Sequence, residues 1–299
     1  MGIPFLKEDP VEYGIVETVS PLIRRIVARN PSPFTYHGTG TYIVGHGKVA
    51  VIDAGPFERA HIEALLGALG GEEVTHQLVT HTHNDHSPAT APVRDRTGAR
   101  TYGYGPHGEG RFERGEKVEA GGDLDFKPDE AVEQGDVIQG DGWTIECVHT
   151  PGHCSNHLCF ALREEKALFT GDHVMGWSTS IISPPDGDLG DYMASLRLLL
   201  ERDDARYYPT HGTHIDDPKP FVESFIAHRQ QREGQIRVCL EQGISRIEDM
   251  VKQMYTDIPT FMHRAAGRSV LAHLVHMLEL GHVRCEGAPG IDARYRLSR

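Results

Sequence analysis

Short apolar runs broken by Gly and Pro open the chain, over residues 14–20, 22–28, 42–44 and 49–53, and predict successive strands. The period then changes: over residues 58–69, Ile62, Leu65, Leu66 and Leu69 fall on one face of an amphipathic helix. Residues 75–79 return to a strand pattern. A second group of strands is predicted over 135–170, with a turn at Asp141-Gly142, and residues 192–200 read as a helix on that half. Two groups of strands with helices between and after them predict an α/β protein, layered as helices outside and two sheets inside. The Gly- and charge-rich stretch 105–129 has little periodicity and reads as a long loop.

After Pro220 the texture becomes helical. Residues 221–242 read as one long helix, and 245–251 start another with Ser245 and Glu248 in a capping-box pattern. Residues 264–280 place Val270, Leu271, Leu274, Val275 and Leu278 on one face, and 281–284 and 294–297 read as short strands. The division predicted is a catalytic domain at 1–219 and a small helical domain at 220–299. Three helices and a hairpin resemble a winged helix, which would put Arg264 and Arg268 at the start of the helix that reads nucleic acid in such modules. The other role for this module is to pack on the larger domain.

Charge weighs between those roles. The net charge is −13; the residues after Pro220 carry 11 Lys or Arg against 9 Asp or Glu, so the excess of acid lies before them. That is not the footprint of a duplex-DNA binder. A hydrophobic content of 38% is ample for a core, and no apolar run approaches the roughly 20 residues of a membrane span. The start lacks a basic region followed by an apolar stretch, so no secretory signal is read. Five cysteines without zinc-ribbon spacing (Cys147, Cys154, Cys159, Cys239, Cys285) are expected as reduced thiols, and the protein as cytoplasmic.

The densest chemistry is Thr80-His81-Thr82-His83-Asn84-Asp85-His86. Three imidazoles and a carboxylate within one turn point to metal binding, and one ion cannot easily take all four from so tight a loop. Three further segments end an apolar run in Gly or Pro beside a ligand-type residue: Pro151-Gly152-His153, Gly171-Asp172-His173 and Pro209-Thr210-His211. Imidazole and carboxylate suit zinc, and also iron or manganese. A water bound to such a metal has a pKa near about 7, so an attacking hydroxide is available at neutral pH.

This order of motifs resembles the metallo-β-lactamase superfamily, whose fold is an αββα sandwich. The resemblance implies that His81, His83 and His153 hold one zinc ion, that Asp85, His86 and His211 hold a second, and that Asp172 bridges them. It also implies that Asp85 orients the attacking hydroxide. Asp53, which closes the strand pattern at 49–53, corresponds to a carboxylate that supports the ligands without binding metal. With the helical tail and the segments 171–176 and 183–192, the chain looks like the lactamase-beta-2-like branch.

Other side chains are weaker candidates. His149 and His157 flank the His153 loop, where each could orient a ligand or simply satisfy a carbonyl. His173, His214 and Tyr192 are candidates for contacting substrate, Tyr192 as a donor to an oxyanion from the loop 183–192. Three functions are consistent with the residues: hydrolysis of a small-molecule ester, thioester or lactone; cleavage of single-stranded RNA, as the branch includes such an endoribonuclease; or a winged-helix binding protein with a vestigial metal site. The complete ligand set disfavours the last. Net acidity favours the small molecule, no membrane is expected as a partner, and the superfamily's habit of dimerising makes a homodimer one expected assembly.

Overall fold

The computed structural model describes residues 2–108 and 121–298. Seven strands form the first sheet in chain order: β1 (Glu17–Thr18), β2 (Ile23–Val27), β3 (Gly40–Val44), β4 (Lys48–Ile52), β5 (Glu73–Leu78), β6 (Arg100–Gly103) and β7 (Glu130–Ala131). Pairing is antiparallel up to β4 and parallel from β4 to β7. Parallel neighbours need crossovers, and α1 (Arg59–Ala68) and α2 (Thr90–Thr97) supply the first two. The second sheet contains β8 (Val137–Gln139), β9 (Thr144–His149), β10 (Leu158–Leu162), β11 (Ala167–Gly171) and β12 (Arg206–Pro209), in the order β12-β11-β10-β9-β8. Its one parallel pair, β11 with β12, is joined through α3 (Leu189–Glu201). The chain ends with α4 (Pro218–Glu241), α5 (Ile247–Met254), α6 (His263–Glu279) and the hairpin β13 (Val283–Cys285) with β14 (Tyr295–Leu297).

The period of two in the strands decides which layer each side chain joins. Tyr42, Val44, Ala50 and Ile52 turn inward against Ile145, Cys147, Phe160 and Phe169 of the second sheet. Their neighbours Ile43, Val49 and Val51 turn outward under Ile62 and Leu65 of α1 and Val93 of α2. Behind the second sheet, Val148, Cys159, Ala161 and Leu168 meet Leu196 and Leu199 of α3 and Phe221, Val222 and Phe225 of α4. Both faces of both sheets are therefore covered, which is why these strands read as unbroken apolar runs. The result is the expected αββα layering of an α/β protein.

Several elements differ from the reading of the sequence. The short strands β6 and β7 extend the first sheet beyond the four strand runs expected there and the one at 75–79; each is too brief and too polar to show a period. Of the predicted loop at 105–129, residues 109–120 lie outside those described, and the rest has no element beyond a bridge of His83 with Gly122. The capping box at Ser245 does not form. Arg246 is the residue that caps α5, so Ser245 lies one position too early and its hydroxyl accepts from Arg294 instead, while Glu248 pairs with Lys252. The predicted division at 219/220 falls in the first turn of α4. The first half of that helix packs on the sandwich, and Ile236 and Cys239 in its second half pack with Met250, Leu271, Leu274 and Tyr295 of the C-terminal module. No helix among the described residues is long and apolar enough to cross a membrane.

Two outcomes follow from this packing. Phe225 is fully buried where α4 meets the second sheet, so Phe225→Ala should cost about 3–5 kcal/mol in denaturant unfolding. Glu233 of α4 lies 2.7 Å from His276 Nδ1 of α6. Burial by itself would raise the Glu233 carboxyl, but the neighbouring imidazoles of His273 and His276 take it down to about 2, and the Glu233 hydrogen bond raises His276 above its ordinary 6.5. The His276 contribution is complete below 6.5 and is lost as pH rises through its raised folded value; that of Glu233 is complete above 4.5 and is lost as pH falls toward 2. Glu233→Gln should thus lower the thermal midpoint most between pH 4.5 and 6.5, with the difference from wild type shrinking toward alkaline pH.

Candidate metal centre

Four segments that follow strands converge at one edge of the sandwich: residues 80–86 after β5, 150–157 after β9, Asp172 after β11 and His211 after β12. They form three groups of potential metal donors, His81 with His83 and His153, His81 with His86 and Asp172, and Asp85 with His86 and His211, each with its donor atoms within 4.8 Å of one another. His83 Nδ1 lies 2.9 Å from His81 Nε2 and 3.0 Å from His153 Nε2. Asp172 spans the groups with its two oxygens: Oδ2 is 3.7 Å from His153 Nε2, and Oδ1 is 3.7 Å from His86 Nε2 and 3.4 Å from His211 Nε2. Asp85 Oδ2 is 3.2 Å from His211 Nε2 and 3.5 Å from His86 Nε2.

The opposite edges of the rings explain which nitrogens face inward. His153 Nδ1 donates to the Ile181 carbonyl at 2.6 Å, and His211 Nδ1 donates to the Gly38 carbonyl at 3.0 Å. His86 Nδ1 donates to Asp53 Oδ2 at 2.9 Å. A carbonyl or carboxylate can only accept, so each of these rings carries its proton on the outside and, when neutral, presents a lone pair to the centre. That is the arrangement a metal-binding imidazole needs.

Asp53 holds this framework together without facing the centre. Its Oδ1 accepts from Thr80 N at 2.8 Å, and its Oδ2 accepts from the hydroxyls of Thr80 at 2.7 Å and Thr210 at 3.1 Å as well as from His86. One carboxylate thereby ties the ends of β4, β5 and β12. Its backbone sits at φ +49°, a left-handed conformation that costs an Asp little when its side chain is fixed on this many partners. Gly171, at φ +52°, leaves room for His157: a Cβ there would lie 2.5 Å from His157 Nε2. Across that gap His157 Nε2 accepts from Asp172 N at 3.2 Å, and its Nδ1 donates to Thr150. His157 thus supports the backbone of the spanning carboxylate.

Electrostatics show what the cluster lacks. Burial and neighbouring rings push His81 and His83 down, His83 to about 3. Burial also opposes charge on His86 and His211, yet Asp85 and Asp172 outweigh it, holding His86 well above 6.5 and raising His211 to about 10. Burial would raise both carboxyls, but the same imidazoles hold Asp85 and Asp172 well below the usual range. The carboxylates therefore demand positive charge in the centre, as protons on imidazole or as cations. The fit to a cation is independent of that balance. Two buried atoms aimed into the centre, His86 Nε2 and Asp172 Oδ1, have no hydrogen-bond partner, and a metal would satisfy both.

Every metal-ligand residue named from the sequence thus sits at this edge. The three expected to contact substrate do not meet it. Tyr192 is fully buried in the α3 core and its hydroxyl donates to the His173 carbonyl at 2.8 Å, so it is committed and unable to serve an oxyanion. His173 is also fully buried, with its ring against Tyr192, and burial pushes its imidazole down to about 3. His214 is half-exposed beyond His211 and faces Asp216 at 3.6 Å. His149 packs flat on Tyr104 and donates to the Ser155 carbonyl. The segment that touches the ligands is not the loop 183–192 but Ile181 ahead of it.

The sequence reading missed the hydroxyls and amides that brace the ligands. Thr82 Oγ1 accepts from Asn156 Nδ2 at 2.8 Å and lies 2.9 Å from His107 Nδ1. One signal was available: a Thr precedes the ligand in Thr80-His81, Thr82-His83 and Thr210-His211, and Thr150 opens the His153 loop. Asn156 and His107 had none, since each is brought to the site only by the path of its loop.

Residues 36–211 match the family described as "Metallo-beta-lactamase superfamily", and residues 247–291 match the "Beta-lactamase associated winged helix domain". The "Lactamase-like protein adaB" of Aspergillus niger is 34% identical over 294 residues, covering 92% of this chain and 86% of that protein. The "Atrochrysone carboxyl ACP thioesterase" of Claviceps purpurea is 35% identical over 254 residues, covering 82% and 75%. Among solved structures, a beta-lactamase domain protein from Burkholderia ambifaria superposes with a TM-score of 0.79 at 19% identity, over 98% of this chain and 96% of that one.

Asp53→Asn should weaken metal retention by about 10–100-fold, the usual loss when a partner behind a ligating imidazole is removed. Competition with a chromophoric chelator measures this, and retention equal to wild type would show that Asp53 does not orient His86.

Proposed function

Because the chain belongs to the metallo-beta-lactamase superfamily, we propose that it is a hydrolase of acyl esters that works with two divalent ions and prefers thioesters. The observation that carries the two-ion part is Asp172, whose separate oxygens face His153 on one side and His86 with His211 on the other. In this reading His81, His83 and His153 hold one ion, Asp85, His86 and His211 hold the other, and Asp172 touches both. Zinc suits these donors, as do iron and manganese. Bound there, the ions would supply a nucleophilic water at neutral pH and positive charge for a developing oxyanion.

The chain's own residues would do the rest. Asp85 keeps about a quarter of its side chain open, and Thr39 Oγ1 lies 3.4 Å from its Oδ2. In this reading Asp85 orients the attacking water and accepts its proton. Tyr36 and Trp177 stack at 4.7 Å and Trp177 packs beside Gly212, next in the chain to His211. Their aromatic faces would accommodate an apolar acyl group. The small-molecule or carrier-bound acyl thioester is favoured over single-stranded RNA for two reasons. The chain is strongly acidic, and Arg268, expected to face nucleic acid, is engaged with Ser183 and Pro184. A relative named as an acyl-carrier-protein thioesterase supports the same choice.

Purified protein of known metal content should contain two equivalents per chain and turn over acyl thioesters, and Asp85→Asn should lower kcat by about 10²–10⁴-fold. Cleavage of single-stranded RNA, sensitive to Asp85→Asn and without thioester turnover, would replace this reading with that of a nuclease.

A further inference from the structure

Two arginines of the C-terminal helices, one on α4 and one on α6, grip one short segment beside the metal centre. Arg229 of α4 donates from Nη2 to the Ser180 carbonyl at 2.5 Å, and its guanidinium lies 5.0 Å above the Tyr192 ring. Arg268 of α6 donates from Nε to Ser183 Oγ at 2.7 Å and from Nη2 to the Pro184 carbonyl. Between these anchors lies Ile181, whose carbonyl takes the Nδ1 proton of His153 at 2.6 Å. The only freedom left to that carbonyl is in the few bonds between Ser180 and Ser183.

The burial of Arg229 argues that this contact is specific. The residue is 3% exposed, its Nε has no hydrogen-bond partner, and no ion pair with a carboxylate is found for it among the described residues. A buried guanidinium that has only a carbonyl and an aromatic face for company is costly to keep for packing alone. Its partners also converge on the same loop from a second side. Tyr192 abuts Gly152, where a Cβ would come within 2.4 Å of the Tyr192 Cα, and Ser195 donates to the Pro151 carbonyl. Arg229 thus holds the Ser180 side of the His153 ring directly and lies over the Tyr192 ring that abuts the other side.

We infer that Arg229 is a positioning residue for His153, and that the C-terminal module serves the catalytic domain by fixing this ligand through the segment 180–184. Arg268 is the second anchor of the same device. The inference rests on the two-ion reading given above, and it locates the effect in one of the two ions, that of His81, His83 and His153.

Zinc binding by the full-length protein tests it, with stepwise chelator competition as the readout and no dependence on any substrate. Arg229→Met should weaken one of two zinc ions by about 10–100-fold and leave the other unchanged, with the metal-free protein unfolding as cooperatively as wild type. Arg229→Lys should recover part of the loss. In a His153→Ala background Arg229→Met should add nothing, since the two substitutions act through one ring. If Arg229→Met does not fold, Arg268→Gln must weaken the same ion by itself. Wild-type affinity for both ions in Arg229→Met, or in Arg268→Gln where that variant stands alone, would overturn the inference, as would equal weakening of both ions or additivity with His153→Ala. A wild-type chain that takes up no zinc, iron or manganese would instead remove the two-ion reading, and this inference with it.

Discussion

Three carboxylates, Asp53, Asp85 and Asp172, stand within contact of one fully buried ring, His86. That is the constraint from which the rest of the site follows. So much negative charge cannot stay in a dry interior without positive charge among it. Protons on His86 and His211 provide it in the metal-free chain. Cations would provide it with less conflict, because they also occupy the unpaired His86 Nε2 and Asp172 Oδ1. The roles divide accordingly: Asp53 is saturated by hydrogen bonds and acts as a fixed support, whereas Asp85 and Asp172 keep oxygens for the centre.

The sandwich is what makes that concentration of charge tolerable. Ligands arrive from the ends of strands in both sheets, whose interiors are packed by Tyr42, Phe160, Phe169 and Tyr208. Strands buried on both faces do not slide, since a shift by one residue would turn Ile43 and Val51 into the place of Tyr42 and Ala50. The loops beyond the strands are tied to one another. Gly40 N donates to the Thr210 carbonyl, Gly55 N to the His86 carbonyl and Leu158 N to the Thr80 carbonyl. The donor atoms are therefore positioned by the sheets, and the loops need only present them.

The metal-ligand motifs were legible in the sequence because each is local: a ligand type at the end of an apolar run, flanked by Gly or Pro. Long elements such as α4 and α6 were legible for a related reason, since their period is sustained over several turns. What the sequence concealed is whatever depends on two distant segments. Tyr192 follows a Gly-containing loop and reads as a candidate donor as well as a residue that turns the chain into a helix. It lies in the first turn of α3, which directs it into the core, where the His173 carbonyl claims its hydroxyl. Asn156 and His107 carry no periodic signal, and only the fold brings them to Thr82. Ser245 and Glu248 satisfy a capping pattern, but pairing of Ser245 with Tyr295 in the hairpin moves the start of α5 by one residue.

The two ends of the chain treat the centre in similar ways. At the N-terminal end, Leu6 N donates to the Gly176 carbonyl and Lys7 offers its carbonyl to the Tyr36 hydroxyl. Asp9 is buried in an ion pair with Arg25, which donates from Nη1 to the carbonyl of Gly212 beside His211. At the other end, Arg229 reaches the carbonyl one residue before that which holds His153. In each case a buried guanidinium binds main chain close to a ligand: Arg25 the residue after His211, Arg229 the residue before the carbonyl that anchors His153. Guanidinium suits this use because its planar fork reaches carbonyls at fixed angles and keeps its charge at any pH the fold survives. Such contacts tie the ligand loops to β2 through Arg25 and to α4 through Arg229, and removing the guanidinium leaves an unpaired carbonyl in the interior. In the C-terminal helices Arg229 and Arg268 are directed inward in this way, whereas Arg246, Arg264 and Arg284 stay exposed.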